Sequence, residues 1–125
     1  MILVDTSVWV DHLRKGDAHL AELLERAAVV SHPFVVGELA CGSLANRGQV
    51  LQLLQNLPAA VTAEPEEVLA YIERRRLFAQ GIGYVDAQLL ASTALTDGTL
   101  LWTRDWRLLA VAQRLGCAYV PGSTR

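Results

Sequence analysis

The sequence contains little that would crosslink a chain through covalent bonds or metal ions. Cys41 and Cys117 are the only cysteines in 125 residues, which allows one disulfide at most and leaves too few ligands for a zinc site. Both lie in apolar surroundings, so we expect small buried hydrophobic side chains. A membrane-length apolar run and a charged leader segment are also lacking, so we expect a cytoplasmic protein without a membrane span.

Charge is scarce as well. Charged residues make up 19% of the chain, hydrophobic residues make up 52%, and the formal net charge is −2. No global positive field therefore indicates a nucleic acid partner. Lys15 is the only lysine, and this preference for arginine fits either phosphate contacts or a genome rich in GC. The apolar excess indicates that a partner covers part of the surface.

Hydrophobic periodicity divides the chain into alternating strands and helices. Short apolar runs predict strands at residues 2–4, 28–31, 58–62, 99–102 and 117–120. Apolar residues three and four apart predict helices at residues 8–14, 19–28, 33–44, 46–57, 65–78, 84–96 and 105–115. The alternation predicts an α/β fold with a parallel sheet and helices on both faces. No linker or repeat divides it, so we expect residues 1–125 to form one domain.

Four carboxylates occupy positions that such a fold can bring together. Asp5 and Asp105 each follow a predicted strand, and the carboxyl ends of parallel strands meet at the edge of the sheet where ligands bind. Glu38 lies in an otherwise uncharged helical run, where a glutamate is unusual without a partner or a cation. Asp86 and Asp105 also have an alternative role, because an acid in the first turn of a helix is favoured by the helix dipole.

Other polar residues have simpler interpretations. Thr6 or Ser7 is expected to cap the helix after the first strand, and Thr103 is a candidate cap for the last helix. Three further aspartates are expected to be solvated or to lie in turns, namely Asp11, Asp17 and Asp97. The histidines lack the spacing of a metal site and receive no catalytic role, namely His12, His19 and His32.

A cluster of acids without a nearby lysine or histidine favours a bound metal ion. Close carboxylates repel each other, which raises some of their pKa values, and a divalent cation removes this conflict. Oxygen ligands select hard ions such as Mg²⁺ or Mn²⁺. Such a site suits phosphoryl chemistry, because the ion lowers the pKa of a bound water and neutralises charge on the phosphate.

These motifs resemble those of the PIN-domain ribonucleases, and among them the VapC toxins of bacterial and archaeal toxin–antitoxin pairs. The resemblance spans the whole chain and is carried, in the family's order, by residues 2–9, 37–39, 83–91 and 103–105. It implies a PIN-like fold with a central parallel sheet of about five strands and helices on both faces. It also implies a metal-dependent endoribonuclease that hydrolyses RNA to leave 5′-phosphates.

The resemblance further implies the site residues and the partners. The ligands of Mg²⁺ or Mn²⁺ would be Asp5, Glu38, Asp86 and Asp105, with Ser7 and Thr103 as the polar residues beside them. The implied partners are an RNA substrate, a VapB-type antitoxin whose C-terminal segment wraps the toxin, and a second copy in a homodimer. The alternative is a PIN nuclease of RNA processing that has no antitoxin.

Residues 33–57 contain only two charged residues, Glu38 and Arg47. A helical hairpin with so little charge has no solvated face of its own, so we expect the antitoxin or a second copy to cover it. Leu54 is expected to lie in that contact.

The arginines and one tryptophan have two interpretations each. The run at residues 74–76 ends a predicted helix, where it fits the helix dipole and an RNA backbone about equally well. Arg104 and Arg107 flank Asp105 and are better placed to meet a phosphate. Trp106 can stack on a base, but packing is the expected role of a tryptophan at the start of a helix.

Two other kinds of acidic α/β site are excluded. A phosphoacceptor receiver domain needs a lysine late in the chain, whereas the only lysine is Lys15. A phosphatase of the haloacid dehalogenase type needs a second aspartate two residues after the first, where this chain has Ser7. A PIN-like scaffold without activity would be expected to lack one of the four acids.

Overall fold

The computed structural model describes residues 1–122, which contain three short strands and seven helices. The strands are β1 (Ile2–Val4), β2 (Val29–Val30) and β3 (Leu100–Trp102). The helices are α1 (Thr6–Lys15), α2 (Ala18–Glu25), α3 (Pro33–Ala40), α4 (Arg47–Asn56), α5 (Pro65–Arg75), α6 (Tyr84–Leu95) and α7 (Trp106–Arg114). The predicted domain runs to residue 125, and its last three residues lie outside this range. No helix within the range is long and apolar enough to cross a membrane.

β1 is the centre of a parallel sheet in the order β2-β1-β3. Ile2 lies opposite Val29 on one side and opposite Leu100 on the other. All three residues of β1 are buried. Because successive side chains of a strand point to opposite faces, other parts of the chain must cover both faces of the sheet. The α/β class and the parallel sheet are thereby confirmed.

The expected number of strands is wrong, since residues 1–122 contain three strands instead of about five. Segments 58–62 and 117–120 each make only a single parallel bridge to an outer strand. The first segment leaves the sheet because its following amides are bonded by α6, where Val61 N–H donates to Thr96 Oγ1 at 2.9 Å. The second segment is followed by Pro121, which has no N–H to extend a ladder.

α6 is buried over most of its length. Its residues 87–93 are all buried, and Leu89 and Leu90 are completely inaccessible to solvent. A helix that is buried on all sides is apolar nearly all round, which explains its lack of charge after Asp86. Burial fixes the position of this helix, and with it the carboxylate at its first turn.

Two expectations about burial are wrong. Cys41 is exposed at the C-terminal end of α3, whereas Cys117 is half-buried. Leu54 is completely buried in the core of the chain, so it cannot form a contact with a partner. Its neighbour Leu53 is 48% exposed and lies on the outward side of α4. The apolar residues of α4 do form a helix, as predicted. Their spacing alone does not show which of the two neighbouring leucines faces the core.

A buried polar network connects α3, α6 and the segment before α5. His32 is fully buried, and its Nδ1 accepts from Phe34 N–H at 3.0 Å, so the neutral ring carries its proton on Nε2. That nitrogen donates to Ser92 Oγ at 2.9 Å, and Ser92 donates to Gln88 Oε1 at 2.6 Å. Gln88 Nε2 closes the network on the carbonyl oxygen of Ala63 at 3.0 Å. Burial lowers the pKa of His32 because it disfavours the charged ring.

We expect acid to destabilise the protein through His32. Its pKa in the folded chain lies below the usual value of 6.5, so the unfolded chain takes up a proton first. The free energy of unfolding should therefore fall as the pH drops below about 6.5. Urea unfolding at pH 7.5 and 5.5 measures this loss. His32→Gln should show a smaller loss between the two pH values, and an equal loss in both proteins would exclude His32 as its cause.

Candidate active site

Asp5 is held at the carboxyl end of β1. Its backbone N–H donates to Trp102 O at 2.9 Å, and the residue is only 7% exposed. Its carboxylate accepts two hydrogen bonds, from Ser7 Oγ at 2.8 Å and from Thr103 Oγ1 at 2.7 Å. Both bonds fall on Oδ2, so they fix the carboxylate without engaging Oδ1. The structure thus brings Asp5, Ser7 and Thr103 together.

Neither Thr6 nor Ser7 caps α1, contrary to the prediction. Asp5 occupies the N-cap position but makes no capping hydrogen bond, because the hydroxyl groups hold its carboxylate elsewhere. Thr6 donates instead to Glu38 Oε1 at 2.6 Å. Glu38 is exposed on α3, and this hydrogen bond holds its carboxylate against the start of α1.

The loop between β3 and α7 is joined to the start of α1 by the same two hydroxyl groups. Arg104 N–H donates to Ser7 Oγ at 3.0 Å, and Asp105 N–H donates to Thr103 Oγ1 at 3.1 Å. The oxygens of Ser7 and Thr103 are 3.4 Å apart. Thr103 is therefore a link between the loop and Asp5, and the cap of α7 is Asp105.

Asp86 and Asp105 both accept hydrogen bonds from backbone N–H groups at the start of a helix. Asp105 Oδ1 accepts from Arg107 N–H at 2.9 Å and from Leu108 N–H at 3.1 Å. Asp86 Oδ2 accepts from Gly83 N–H at 3.3 Å. Each of these contacts uses one carboxylate oxygen, so capping leaves the second oxygen of each side chain for another contact. The two interpretations of these acids are therefore compatible.

The other three acids act electrostatically on Asp86. Burial raises the pKa of Asp86, and the negative charges of Asp5, Asp105 and Glu38 raise it further. The hydrogen bond from Gly83 opposes this shift. The carboxylate of Asp86 is therefore the point on which the charges at the end of β1, on α3 and at the start of α7 act together.

The carboxylates do not form a ready-made cage for a metal ion. Within residues 1–122, no three acidic, histidine or cysteine side chains are placed to hold one. Each acid is instead satisfied locally, by a hydroxyl group or by a backbone N–H. The chemistry of the donors nevertheless fits a hard cation, since all are carboxylate oxygens and the charged form of Asp86 is disfavoured. Binding an ion would require these side chains to turn toward it.

Arg104 is occupied within the protein. Its guanidinium group pairs with Asp11 at 2.8 Å and with Asp17, and it lies over the ring of Trp102. Asp17 also caps α2 by accepting from Leu20 N–H, and this bond, followed by the contact with Arg104, lowers its pKa. Asp11 and Asp17 are therefore not merely solvated. Sequence reasoning missed these pairs because partners 93 and 87 residues apart leave no periodic signal.

Three other arginines lie over aromatic rings, and one of these rings is Trp106. Arg74 and Arg75 lie over the ring of Tyr71, in the last turn of α5, where they complement the helix dipole. Arg107 lies over the ring of Trp106, with its guanidinium carbon 4.6 Å from the ring centroid. Trp106 is 70% exposed, so the expected packing role is wrong.

Comparisons with known proteins agree with this architecture. The family model described as the PIN domain matches residues 2–114. Ribonuclease VapC32 from two strains of Mycobacterium tuberculosis is 52% identical over 118 residues, which cover 94% of this chain and 95% of the relative. The crystal structure of FitAcB from Neisseria gonorrhoeae has a similar fold, with a TM-score of 0.60 and 22% identity over 90% of this chain and 94% of that one.

The match over nearly the whole chain defines the class as a PIN domain. The chain belongs to this family, and its similarity to VapC32 places it among the VapC ribonucleases.

Proposed function

We propose that this protein is a metal-dependent endoribonuclease that acts as the cytoplasmic toxin of a type II toxin–antitoxin pair and leaves 5′-phosphates on its RNA products. The observation that carries the proposal is that hydrogen bonds of Thr6 and Thr103 bring Glu38, Asp5 and Asp105 together at the end of β1. Asp86 lies close enough for their charges to raise its pKa. Membership of the VapC ribonucleases supports the RNA substrate. The match to the PIN domain at residues 2–114 includes all four acids.

Mg²⁺ or Mn²⁺ would be held by the four carboxylates, Asp5, Glu38, Asp86 and Asp105. When bound, the ion supplies a water of lowered pKa and neutralises charge on the phosphate. The remaining polar residues position the ligands: Ser7 and Thr103 hold Asp5, and Thr6 holds Glu38. The capping contacts orient Asp86 and Asp105.

Incubation of the purified protein with a single-stranded RNA tests the proposal. Cleavage should need added Mg²⁺ or Mn²⁺, should stop in EDTA, and should return when the ion is restored. The new RNA ends should accept ligation as 5′-phosphates. Undiminished cleavage in EDTA, or products with 5′-hydroxyl ends, would contradict the mechanism.

A partly apolar groove leads away from the candidate site and supports the proposed antitoxin. It has a volume of about 480 Å³ and lies beside α1 and the segment after α3. Thr6 and Glu38 line one part of it, and Val10, Leu13 and Leu44 line another. Val10 is 44% exposed. A VapB-type antitoxin segment in this groove would cover apolar surface and reach the acids together.

We expect Leu53→Glu to weaken either self-association or binding of the antitoxin. Leu53 is the exposed leucine of α4, and a charge there would be buried against a partner. Gln52→Glu, which adds the same charge at the exposed neighbouring position, is the matched control. Analytical ultracentrifugation and copurification with the product of the adjacent upstream gene measure the two associations. If a folded Leu53→Glu protein keeps both self-association and antitoxin binding, the helical hairpin of residues 33–57 is not an interface.

A further inference from the structure

Two of the three exposed aromatic side chains within residues 1–122 adjoin site acids in the chain. The three are Phe78, Tyr84 and Trp106, with exposures of 53%, 45% and 70%. Tyr84 begins α6 two residues before Asp86, and Trp106 follows Asp105 directly. Exposed rings are costly in water, so their concentration at one site indicates a ligand with flat apolar faces.

Trp106 is held in its exposed position by Arg107. The guanidinium group of Arg107 covers one face of the indole ring at 4.6 Å from its centroid. The backbone N–H of Arg107 donates to Asp105 Oδ1 at 2.9 Å, which anchors the start of α7. One face of the indole is thus occupied by a cation, and the ring is still 70% exposed.

Gly81 makes room for this arrangement. The side chain of Arg107 lies so close to Gly81 that a Cβ on this residue would be 2.6 Å from Arg107 Cδ. Gly81 also has a φ of +79°, which disfavours residues with a side chain. The loop before α6 therefore forms the base on which Arg107 lies.

Arg107 forms no ion pair within residues 1–122. In the part of the chain that the structure describes, the ion pairs involve Arg14, Arg26 and Arg104, and Arg107 has no carboxylate within ion-pair distance. A free cation beside an exposed indole, next to a site for phosphodiester chemistry, is complementary to one nucleotide. The ring suits the base and the guanidinium suits the phosphate.

We propose that Trp106, supported by Arg107, is a binding platform that stacks on an unpaired base of the RNA next to the cleaved phosphate. This inference rests on the proposed function and adds to it that the substrate is single-stranded at this position. Bases within a duplex are stacked on their neighbours and cannot lie on an indole. The platform is a binding element and takes no part in bond cleavage.

Fluorescence provides a direct test. Trp9 and Trp102 are 1% and 3% exposed, so a change on adding ligand reports mainly on Trp106. Titration of the wild-type protein in EDTA with a short single-stranded RNA should quench the emission, and the same RNA in a duplex should quench it much less. The absence of metal keeps the RNA intact under the proposed function.

Binding of a labelled RNA to variants measures the contribution of the ring. Trp106→Leu should weaken binding about tenfold, whereas Trp106→Phe should keep most of it. Arg107→Gln should lower the slope of log affinity against log salt concentration by about 0.7, the value for one phosphate contact on a single strand. Leu69→Ala removes a leucine on α5 that is 60% exposed, and this control should change neither quantity.

The failure of this inference is distinguishable from failure of the proposed function. If the wild-type protein cleaves RNA but Trp106→Leu binds it equally well, the platform is wrong and the function stands. If Trp106→Leu instead changes only self-association in sedimentation, the ring belongs to a protein interface and the inference is overturned. If the wild-type protein neither cleaves nor binds RNA, the proposed function itself has failed.

Discussion

Asp5→Asn should abolish RNA cleavage while leaving the protein folded. Asp5 is the most constrained acid of the site, buried at the end of β1 and fixed through one oxygen by Ser7 and Thr103. Asparagine keeps the size and an oxygen acceptor for the hydroxyl groups but removes the charge. Mutation of a group that only hydrogen-bonds to a metal ligand already lowers metal affinity or activity by about 10- to 100-fold. Loss of a ligand should therefore lower the cleavage rate at least about a hundredfold.

The control for this variant is Asp97→Asn, which removes the same charge from an exposed turn before β3. It should cleave at the wild-type rate. Initial rates at saturating Mg²⁺, with a thermal melt to show that both variants fold, make the comparison. Cleavage by Asp5→Asn at the wild-type rate would remove Asp5 from the mechanism.

Asp86→Asn should separate the metal-binding role of this acid from its role at the start of α6. Its pKa in the folded chain is raised by burial and by the three other acids, so the charged form destabilises the fold once the pH exceeds its unfolded value of 3.8. At neutral pH the metal-free variant should be no less stable than the wild-type protein. This difference should vanish as the pH falls below 3.8, because Asp86 is then protonated in both the folded and the unfolded chain.

Metal should stabilise the wild-type protein much more than the variant. An ion that binds only the folded state stabilises it by about 2.7 kcal/mol at a hundredfold excess over its dissociation constant. The wild-type protein should show this gain, and Asp86→Asn should lose most of it. Thermal melts in EDTA and in Mn²⁺ measure both effects. A purely helix-capping acid predicts that the variant is destabilised in both solutions, and equal metal shifts would remove Asp86 from the site.

The sheet illustrates how far hydrophobic patterns determine a fold. β1 and β3 were predicted correctly because a short apolar run followed by a polar turn has few alternatives. Segment 58–62 has the same kind of pattern, yet its Val61 N–H donates to Thr96 at the end of α6, and the N–H of the following Ala63 donates to Gln88 of α6. Side chains far along the chain can accept hydrogen bonds from the backbone N–H groups of a segment that would otherwise form a strand. The local sequence does not show this competition, so the expected number of strands was wrong.

The site shows the same limit. Asp5 and Asp105 were placed by the rule that parallel strands end at one edge. The structure connects them through Thr103, which donates to Asp5 at 2.7 Å and accepts from the N–H of Asp105 at 3.1 Å. The pairing of Arg104 with Asp11 and Asp17 depends on how a loop approaches a helix, which no spacing rule contains. The exposure of Trp106 was missed for a related reason. The general preference of tryptophan for burial does not show where contacts with other residues keep its ring at the surface.

The two single bridges have a consequence for how copies of this chain can meet. Ser31, directly after β2, bridges to Ala59, and Leu101 of β3 bridges to Ala118. Uncovered strands are templates on which other chains assemble into aggregates. Both outer strands are only two or three residues long, and each has such a bridge on or beside its outer edge. Little free backbone therefore remains there on which another chain could extend the sheet.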